Sequence, residues 1–213
     1  MKTISISSDG RETELVEEVA STLEQSGVVC MPCGGTYRLL SDLRCEEAVM
    51  KLLQSKRRTK RTHTLVFVAD KNMLLDVVSD VDPVVQRLAQ KVWPGPVTIL
   101  FEASPKLPRR VVKHLLAGRT KIGVRIPEDP FVLEVIRTFG GPVLVSSANR
   151  EKKNGSRSPA QVRKNFFGRV DLFLDAGDLA VQPASTIVDF HQGEPVITRA
   201  GAISGDQIQT LCA

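Results

Sequence analysis

Apolar positions along the chain switch repeatedly between a two-residue and a 3.6-residue period, which predicts alternating strands and helices over nearly the whole length. Ile4 and Ile6 predict a short opening strand. Leu15, Val16, Val19, Ala20 and Leu23 share one helical face, and Gly27 stands where a helix C-terminal glycine belongs. A short apolar strand over 28–31 leads into 32–44, which reads as a loop, and then a helix over 46–56 carries the stripe Ala48, Val49, Leu52 and Leu53. The run 65–68 reads as a buried strand. Asp82-Pro83 opens a helix bearing Val84, Val85, Leu88, Ala89 and Val92, and Trp93-Pro94-Gly95-Pro96 stops it because two prolines cannot continue the hydrogen-bond ladder. Further strands are predicted at 97–101, 122–126, 143–146, 172–174, 186–188 and 196–198, with helices at 130–139, 159–166 and 206–211. The pattern is α/β, and the last strands follow one another too closely for crossover helices, so the sheet is expected to be mixed. Without a linker, a low-complexity tract or an internal repeat, residues 1–213 read as a single domain.

Composition narrows the class. With 213 residues, 42% hydrophobic and 25% charged, the chain can build one substantial core and is neither a disordered nor a collagenous sequence. No apolar run reaches the roughly 18 to 20 residues of a membrane helix and the N-terminus lacks signal-peptide features, so a cytoplasmic protein without membrane contact is expected. The four cysteines, Cys30, Cys33, Cys45 and Cys212, are too few for a disulfide scaffold and form no paired zinc pattern.

Charge changes the picture more. The 29 Lys and Arg exceed the 24 Asp and Glu by five, and the excess is concentrated in three stretches. Lys51, Lys56, Arg57, Arg58, Lys60 and Arg61 form the first; Lys106, Arg109, Arg110, Lys113, Arg119, Lys121 and Arg125 form the second; 150–169 forms the third. The first helix is acidic instead, with Glu12, Glu14, Glu17, Glu18 and Glu24, so a basic face suited to phosphates, nucleotides or RNA is expected.

Common catalytic signatures are absent: no phosphate loop of the Walker kind, no G-x-G-x-x-G, no H-E-x-x-H and no G-x-S-x-G. His63, His114 and His191 are too few for a His-rich metal site, and Cys30-Met31-Pro32-Cys33 lies at a strand end rather than at a helix start that would lower a thiol pKa. No metal ligand set is assigned. What remains are loop segments after strands that are rich in Lys, Arg, Ser and Asn: Lys56-Arg57-Arg58, Arg125-Ile126-Pro127, Ser146-Ser147-Ala148-Asn149, Ser185-Thr186 and Arg199-Ala200-Gly201. Such loops gather at strand carboxyl ends and suit the holding of an anion rather than covalent attack.

Taken together and in order, these segments resemble the YrdC-like family of threonylcarbamoyl-AMP synthases. The most specific are Trp93-Pro94-Gly95-Pro96-Val97-Thr98, Val124-Arg125-Ile126-Pro127, Pro142 through Ser147-Ala148-Asn149, Ser185-Thr186-Ile187-Val188-Asp189 and Arg199-x-Gly201. The resemblance implies a short, single-domain form with a twisted mixed sheet, flanked by helices, around a basic concave surface. It also implies a nucleotidyltransferase of tRNA processing: threonine and bicarbonate give N-carboxythreonine, which reacts at the α-phosphate of ATP to form threonylcarbamoyl-AMP and pyrophosphate. A partner tRNA-modification complex then passes the group to an adenosine of tRNA. Lys56 and Arg58 would be the catalytic pair against phosphates and carbamate; Ser147 and Asn149 would hold the nucleotide, with Ser185, Thr186 and Arg199 completing its pocket. Tyr37 would lie against the amino acid, with Cys33, Thr36 and Arg125 as further substrate contacts. ATP would be a substrate, and Mg2+ is expected to accompany it.

The chain departs from the family in its first motif. Where the family has Pro-Thr-Asp-Thr-x-Tyr-Gly-Leu, a segment that helps build the threonine pocket, it has Pro32-Cys33-Gly34-Gly35-Thr36-Tyr37-Arg38-Leu39. The basic motif Lys-x-Arg-Pro is Lys56-Arg57-Arg58-Thr59, and Arg199-Ala200-Gly201 lacks the middle proline. Two alternatives therefore stand beside the synthase: a divergent paralogue acting on another small substrate, and a protein that binds nucleotide, tRNA or double-stranded RNA without this activity. Few aromatics argue against base stacking, so RNA contact would be to the backbone.

Overall fold

The computed structural model describes residues 1–6, 12–56, 64–149 and 156–212. Its elements in chain order are β1 (Lys2–Ser5), α1 (Glu12–Glu24), β2 (Val29–Cys33), β3 (Thr36–Asp42), α2 (Glu46–Ser55) and β4 (Leu65–Phe67). There follow α3 (Lys71–Val77), α4 (Pro83–Val92), β5 (Val97–Glu102), α5 (Arg109–Leu116), β6 (Lys121–Arg125) and α6 (Pro130–Phe139). The last six are β7 (Val143–Ser147), α7 (Pro159–Phe166), β8 (Leu172–Asp175), β9 (Thr186–His191), β10 (Glu194–Arg199) and α8 (Gly205–Cys212). The strands form one ten-stranded sheet in the order β1-β8-β2-β3-β7-β4-β6-β5-β9-β10. It is mixed, as the pattern predicts: β4 lies parallel to β6 and β5 to β9, whereas β2–β3, β3–β7, β5–β6 and β9–β10 are antiparallel.

Alternation along the strands sends side chains to two cores. Tyr37 and Leu39 of β3 join Val49 and Leu52 of α2, with Leu74, Leu88, Val111, Val162 and Ile208 from α3, α4, α5, α7 and α8. On the other face Met31, Cys33, Leu40, Phe67 and Val145 meet Val16, Val19 and Leu23 of α1 and Val132, Val135 and Ile136 of α6. Fully buried side chains of this kind contribute roughly 1.5 to 3 kcal/mol each.

Several local signals act as expected. Asp82 caps α4 through Val84 N–H, and Asp129 caps α6 through Phe131 and Val132 N–H, each with a proline in the first turn.

Three expectations are corrected. The stretch 32–44 is largely not a loop but a hairpin, turning through Gly34 and Gly35 at φ 60° and 71° and pairing Cys33 with Thr36. Two successive positive φ values are what a tight two-residue turn between twisted strands needs, and glycine adopts them without strain. Gly27 is not the left-handed residue that ends α1; Ser26 is, at φ 58°. Its N–H bonds to Leu23 O and that of Gly27 to Thr22 O, and Gly27 is required because a Cβ there would lie 2.6 Å from Thr22 O. Finally, α3 and α5 were not expected. The first spans too few residues for its period to register, and in the second a run of basic residues hides the inward Val111, Leu115 and Leu116.

Candidate functional site

Strand β7 carries Ser146 and Ser147 to its carboxyl end, and α2 brings Lys56, its C-terminal cap, to the same place. Lys56 Nζ donates to Ser146 Oγ at 2.8 Å, to Ser147 O at 2.8 Å and to Asn149 Oδ1 at 3.3 Å. Ser147 Oγ donates to Asn149 Oδ1 at 2.6 Å. Three oxygens at the end of β7 thus hold the ammonium in place. Arg58, its expected companion, lies outside the described residues.

A second group centres on Arg125, the last residue of β6, which is almost wholly buried. Its Nε donates to Gly95 O at 2.7 Å, its guanidinium lies 5.7 Å from the Phe67 ring centre, and Glu128 stands 3.7 Å from Nη2. Trp93-Pro94-Gly95-Pro96 is built to aim that carbonyl. Gly95 N–H donates to Ile126 O at 3.1 Å, Trp93 Nε1 donates to Val97 O at 2.6 Å, and a Cβ on Gly95 would run into Val92 O. Burial holds the Arg125 guanidinium below its ordinary pKa; the charges of Arg38 and Arg199 act in the same direction, against Cys33 and Glu128.

Arg199 ends β10 and turns back to the residue before β9. Its Nε and Nη2 donate to Ser185 O at 3.1 and 2.6 Å, and Nη2 also reaches Ser185 Oγ at 2.9 Å. Ser185 Oγ lies 3.4 Å from Thr98 Oγ1. Gly201 explains the Arg-x-Gly spacing, because a Cβ there would enter the backbone of 184–186, against which Ala202 N–H bonds Ala184 O at 2.8 Å. Thr186, expected in the nucleotide pocket, is fully buried, with its hydroxyl donating to Ile203 O at 2.6 Å and accepting from Ile203 N–H at 3.0 Å. It ties down the loop after β10 with its hydroxyl proton and one lone pair.

The hairpin holds the expected amino-acid contacts, and here the structure differs most. Tyr37 does not lie open against a ligand. Its ring is fully buried beside Phe173, and its hydroxyl donates to Gly177 O at 2.7 Å and accepts from Ala176 N–H at 3.0 Å. Cys33 is likewise buried. Burial pushes its thiol pKa up, with Arg38 and Arg125 opposing and Asp129 adding to the shift. Cys30 and Cys33 enter different cores, on opposite faces of the sheet, so the C-x-x-C spacing brings no two thiols together. Thr36 stays half-buried at the turn. The residue missed by motif reading is Arg38, paired across the ladder with Ser147, half-buried, and close enough to depress the Arg199 pKa after burial has done so. Its signal was in the sequence, as an arginine where the family pattern has glycine.

A groove of about 530 Å³, lined by Arg44, Asp70, Met73, Lys106 and Gly141 among others, opens at the opposite end of β7. It shares none of the residues just described. Among the described residues no cluster of three His, Cys, Asp or Glu could hold a metal ion, and no helix is long and apolar enough to cross a membrane.

A mixed α/β sheet thus carries tethered basic side chains and hydroxyls at its strand ends. The chain belongs to the Sua5/YciO/YrdC family, whose model, described as "Telomere recombination", matches residues 21–201. It is 32% identical over 159 residues to the threonylcarbamoyl-AMP synthase of Halorhodospira halophila, covering 75% of this chain and 81% of that one. With the threonylcarbamoyl-AMP synthase of Bacillus subtilis it shares 26% identity over 196 residues, 92% of this chain and 56% of the relative. The fold is shared with P. abyssi Sua5, solved in complex with L-threonine, at a TM-score of 0.87 and 23% identity, over 99% of this chain and 61% of that one. The chain thus spans little more than half the length of some of the relatives it matches.

Proposed function

We propose that the chain adenylates an N-carboxylated amino acid at the expense of ATP, the reaction of a threonylcarbamoyl-AMP synthase, and so acts in the cytoplasm as a nucleotidyltransferase of tRNA modification. Threonine is the acceptor that the relatives' names supply. Its amine takes up bicarbonate with loss of water; a carbamate oxygen then forms a bond to the α-phosphorus, and the bond to pyrophosphate breaks.

The observation that carries this reading is the convergence of Lys56, Ser147 and Asn149 at the end of β7. The chemistry needs no protein nucleophile. It needs two anions brought together, so fixed positive charge and orientation do the catalytic work. Lys56 would neutralise charge between carbamate and phosphate, joined by Arg58, while Ser147 and Asn149 would fix the nucleotide. Arg125, Arg199 and Ser185 would line the same cleft, with Tyr37 and Thr186 holding its walls from behind. Magnesium would travel with the triphosphate, since the described residues offer no carboxylate cluster for it.

The test is incubation with ATP, threonine, bicarbonate and magnesium beside an active family member, with the adenylate read by mass spectrometry. Product that falls at least about 100-fold in Lys56→Ala is expected. Its absence from the wild-type chain beside an active control would overturn the reading.

One surface supports a second role. Arg109, Arg110 and Lys113 of α5 are exposed, and only Arg110 among them approaches a described acid, Glu46, at 3.4 Å. Such a face suits the phosphates of tRNA or another double-stranded RNA.

A further inference from the structure

Three arginines are each tethered through Nε to a main-chain carbonyl: Arg38 to Cys33 at 3.3 Å, Arg125 to Gly95 at 2.7 Å and Arg199 to Ser185 at 3.1 Å. A guanidinium held at Nε presents its two Nη groups as a planar fork away from the tether, the geometry that recognises carboxylate or phosphate. The three forks are not equally engaged. Nη2 of Arg199 bonds Ser185, and Nη2 of Arg125 faces Glu128, whereas among the described residues the Arg38 side chain reaches only Cys33, at its carbonyl and its thiol. Among the described residues no carboxylate lies within ion-pair distance of Arg38 or Arg199.

Nor does the rest of the hairpin oppose that charge. Beside Arg38 stand a buried thiol, two glycines and the Thr36 hydroxyl. Arg38, Arg125 and Arg199 are close enough for their charges to be felt although β3, β6 and β10 are not neighbours in the strand order, so like charges gather there. Against the pattern Pro-Thr-Asp-Thr-x-Tyr-Gly-Leu, Gly34 stands in place of an acid and Arg38 in place of a glycine. Both changes make this half of the site more positive.

We propose that Arg38 sets acceptor specificity, and that the amino-acid half of the site takes an α-amino acid whose side chain carries a second anionic group in preference to a neutral hydroxy amino acid. The inference rests on the adenylation reading and alters only the acceptor's side chain. A carboxylate and a phosphate share the required chemistry; the Arg38 fork can accept either through two parallel N–H···O bonds.

The test is calorimetric titration of the full chain with L-threonine, L-aspartate, L-glutamate and O-phospho-L-serine, each in the presence of a non-hydrolysable ATP analogue, with the analogue alone titrated separately. At least one acidic amino acid is expected to bind about tenfold or more tightly than threonine, and which one distinguishes carboxylate from phosphate. Arg38→Gly is expected to abolish the preference and Arg38→Lys to keep part of it, with melting curves showing both variants folded. Threonine binding as tightly as every acidic probe, or a preference that survives Arg38→Gly, overturns the proposal. Loss of analogue binding in Arg38→Gly with the amino-acid preference intact also overturns it, by placing the fork on the nucleotide. Failure of the wild-type chain to bind the analogue sinks the adenylation reading instead, and is seen in the separate titration.

Discussion

Arg199 turns back from the end of β10 to grip Ser185 through two nitrogens at once, with Nε and Nη2 both donating to its carbonyl oxygen. The contact fixes the strand end and the guanidinium together, and only a planar fork can make it. Arg199→Lys keeps the charge but loses one of the two bonds. ATP affinity is expected to fall about tenfold while the melting temperature shifts little, because the residue is exposed. Fluorescence titration of a nucleotide analogue checks this; unchanged affinity would remove Arg199 from the nucleotide pocket.

Tyr37 supports the site through its hydroxyl. That oxygen donates to Gly177 and accepts from Ala176 N–H, joining the hairpin to the segment after β8. Tyr37→Phe removes the bonds to the half-buried Ala176 N–H and the exposed Gly177 carbonyl, at a cost of about 0.5 to 1.5 kcal/mol. Urea unfolding should show the loss in the midpoint with an unchanged slope. A variant as stable as the wild type would mean that water or another group replaces the hydroxyl.

Much of the fold was legible because periodicity, caps and prolines agree. Asp82-Pro83 and Asp129-Pro130 mark helix starts, and each is a cap that the structure shows. The site was legible only where a motif carries its own geometry. Gly201 and Gly95 are needed by close backbone approach, so their spacing predicts a packed turn. Tyr37 and Thr186 illustrate the opposite case. A hydroxyl in a motif reads the same whether it faces a ligand or a main-chain carbonyl, and only the fold reveals that Gly177 and Ile203 claim them. Arg38 escaped for a different reason: its tether and its neighbours come from separate strands, and a sheet's pairing order is not written in any one of them.

The buried thiols make stability fall in alkali. Burial pushes the pKa of Cys30 and Cys33 well above the ordinary thiol value, so both stay protonated in the folded chain. In the unfolded chain they ionise above about pH 8.5. The unfolded state then binds fewer protons, so the stability they contribute is fully present below that pH and is lost as pH rises, by up to about 1.4 kcal/mol per thiol per pH unit. Tyr37, also shifted upward by burial, adds to the decline at higher pH. Urea unfolding of the wild type and of Cys30→Ala between pH 7 and 10 isolates one thiol, and the variant should show the shallower decline. Parallel curves would show that Cys30 ionises as readily folded as unfolded.

The exposed basic side chains of α5 make the RNA reading quantitative. If Arg109, Arg110 and Lys113 meet phosphates, each contact releases a condensed counterion, and the logarithm of affinity falls linearly with the logarithm of salt. The expected slope is about −0.7 to −0.9 per phosphate neutralised, so the variant with all three changed to Gln should bind more weakly in low salt and show a slope smaller by about 2 to 3. Arg110 should contribute least of the three, because Glu46 already competes for it. Filter binding of a tRNA and of an unrelated RNA duplex across a salt series measures both quantities. A salt-insensitive curve, or a slope unchanged in the triple variant, would exclude α5 as the RNA face.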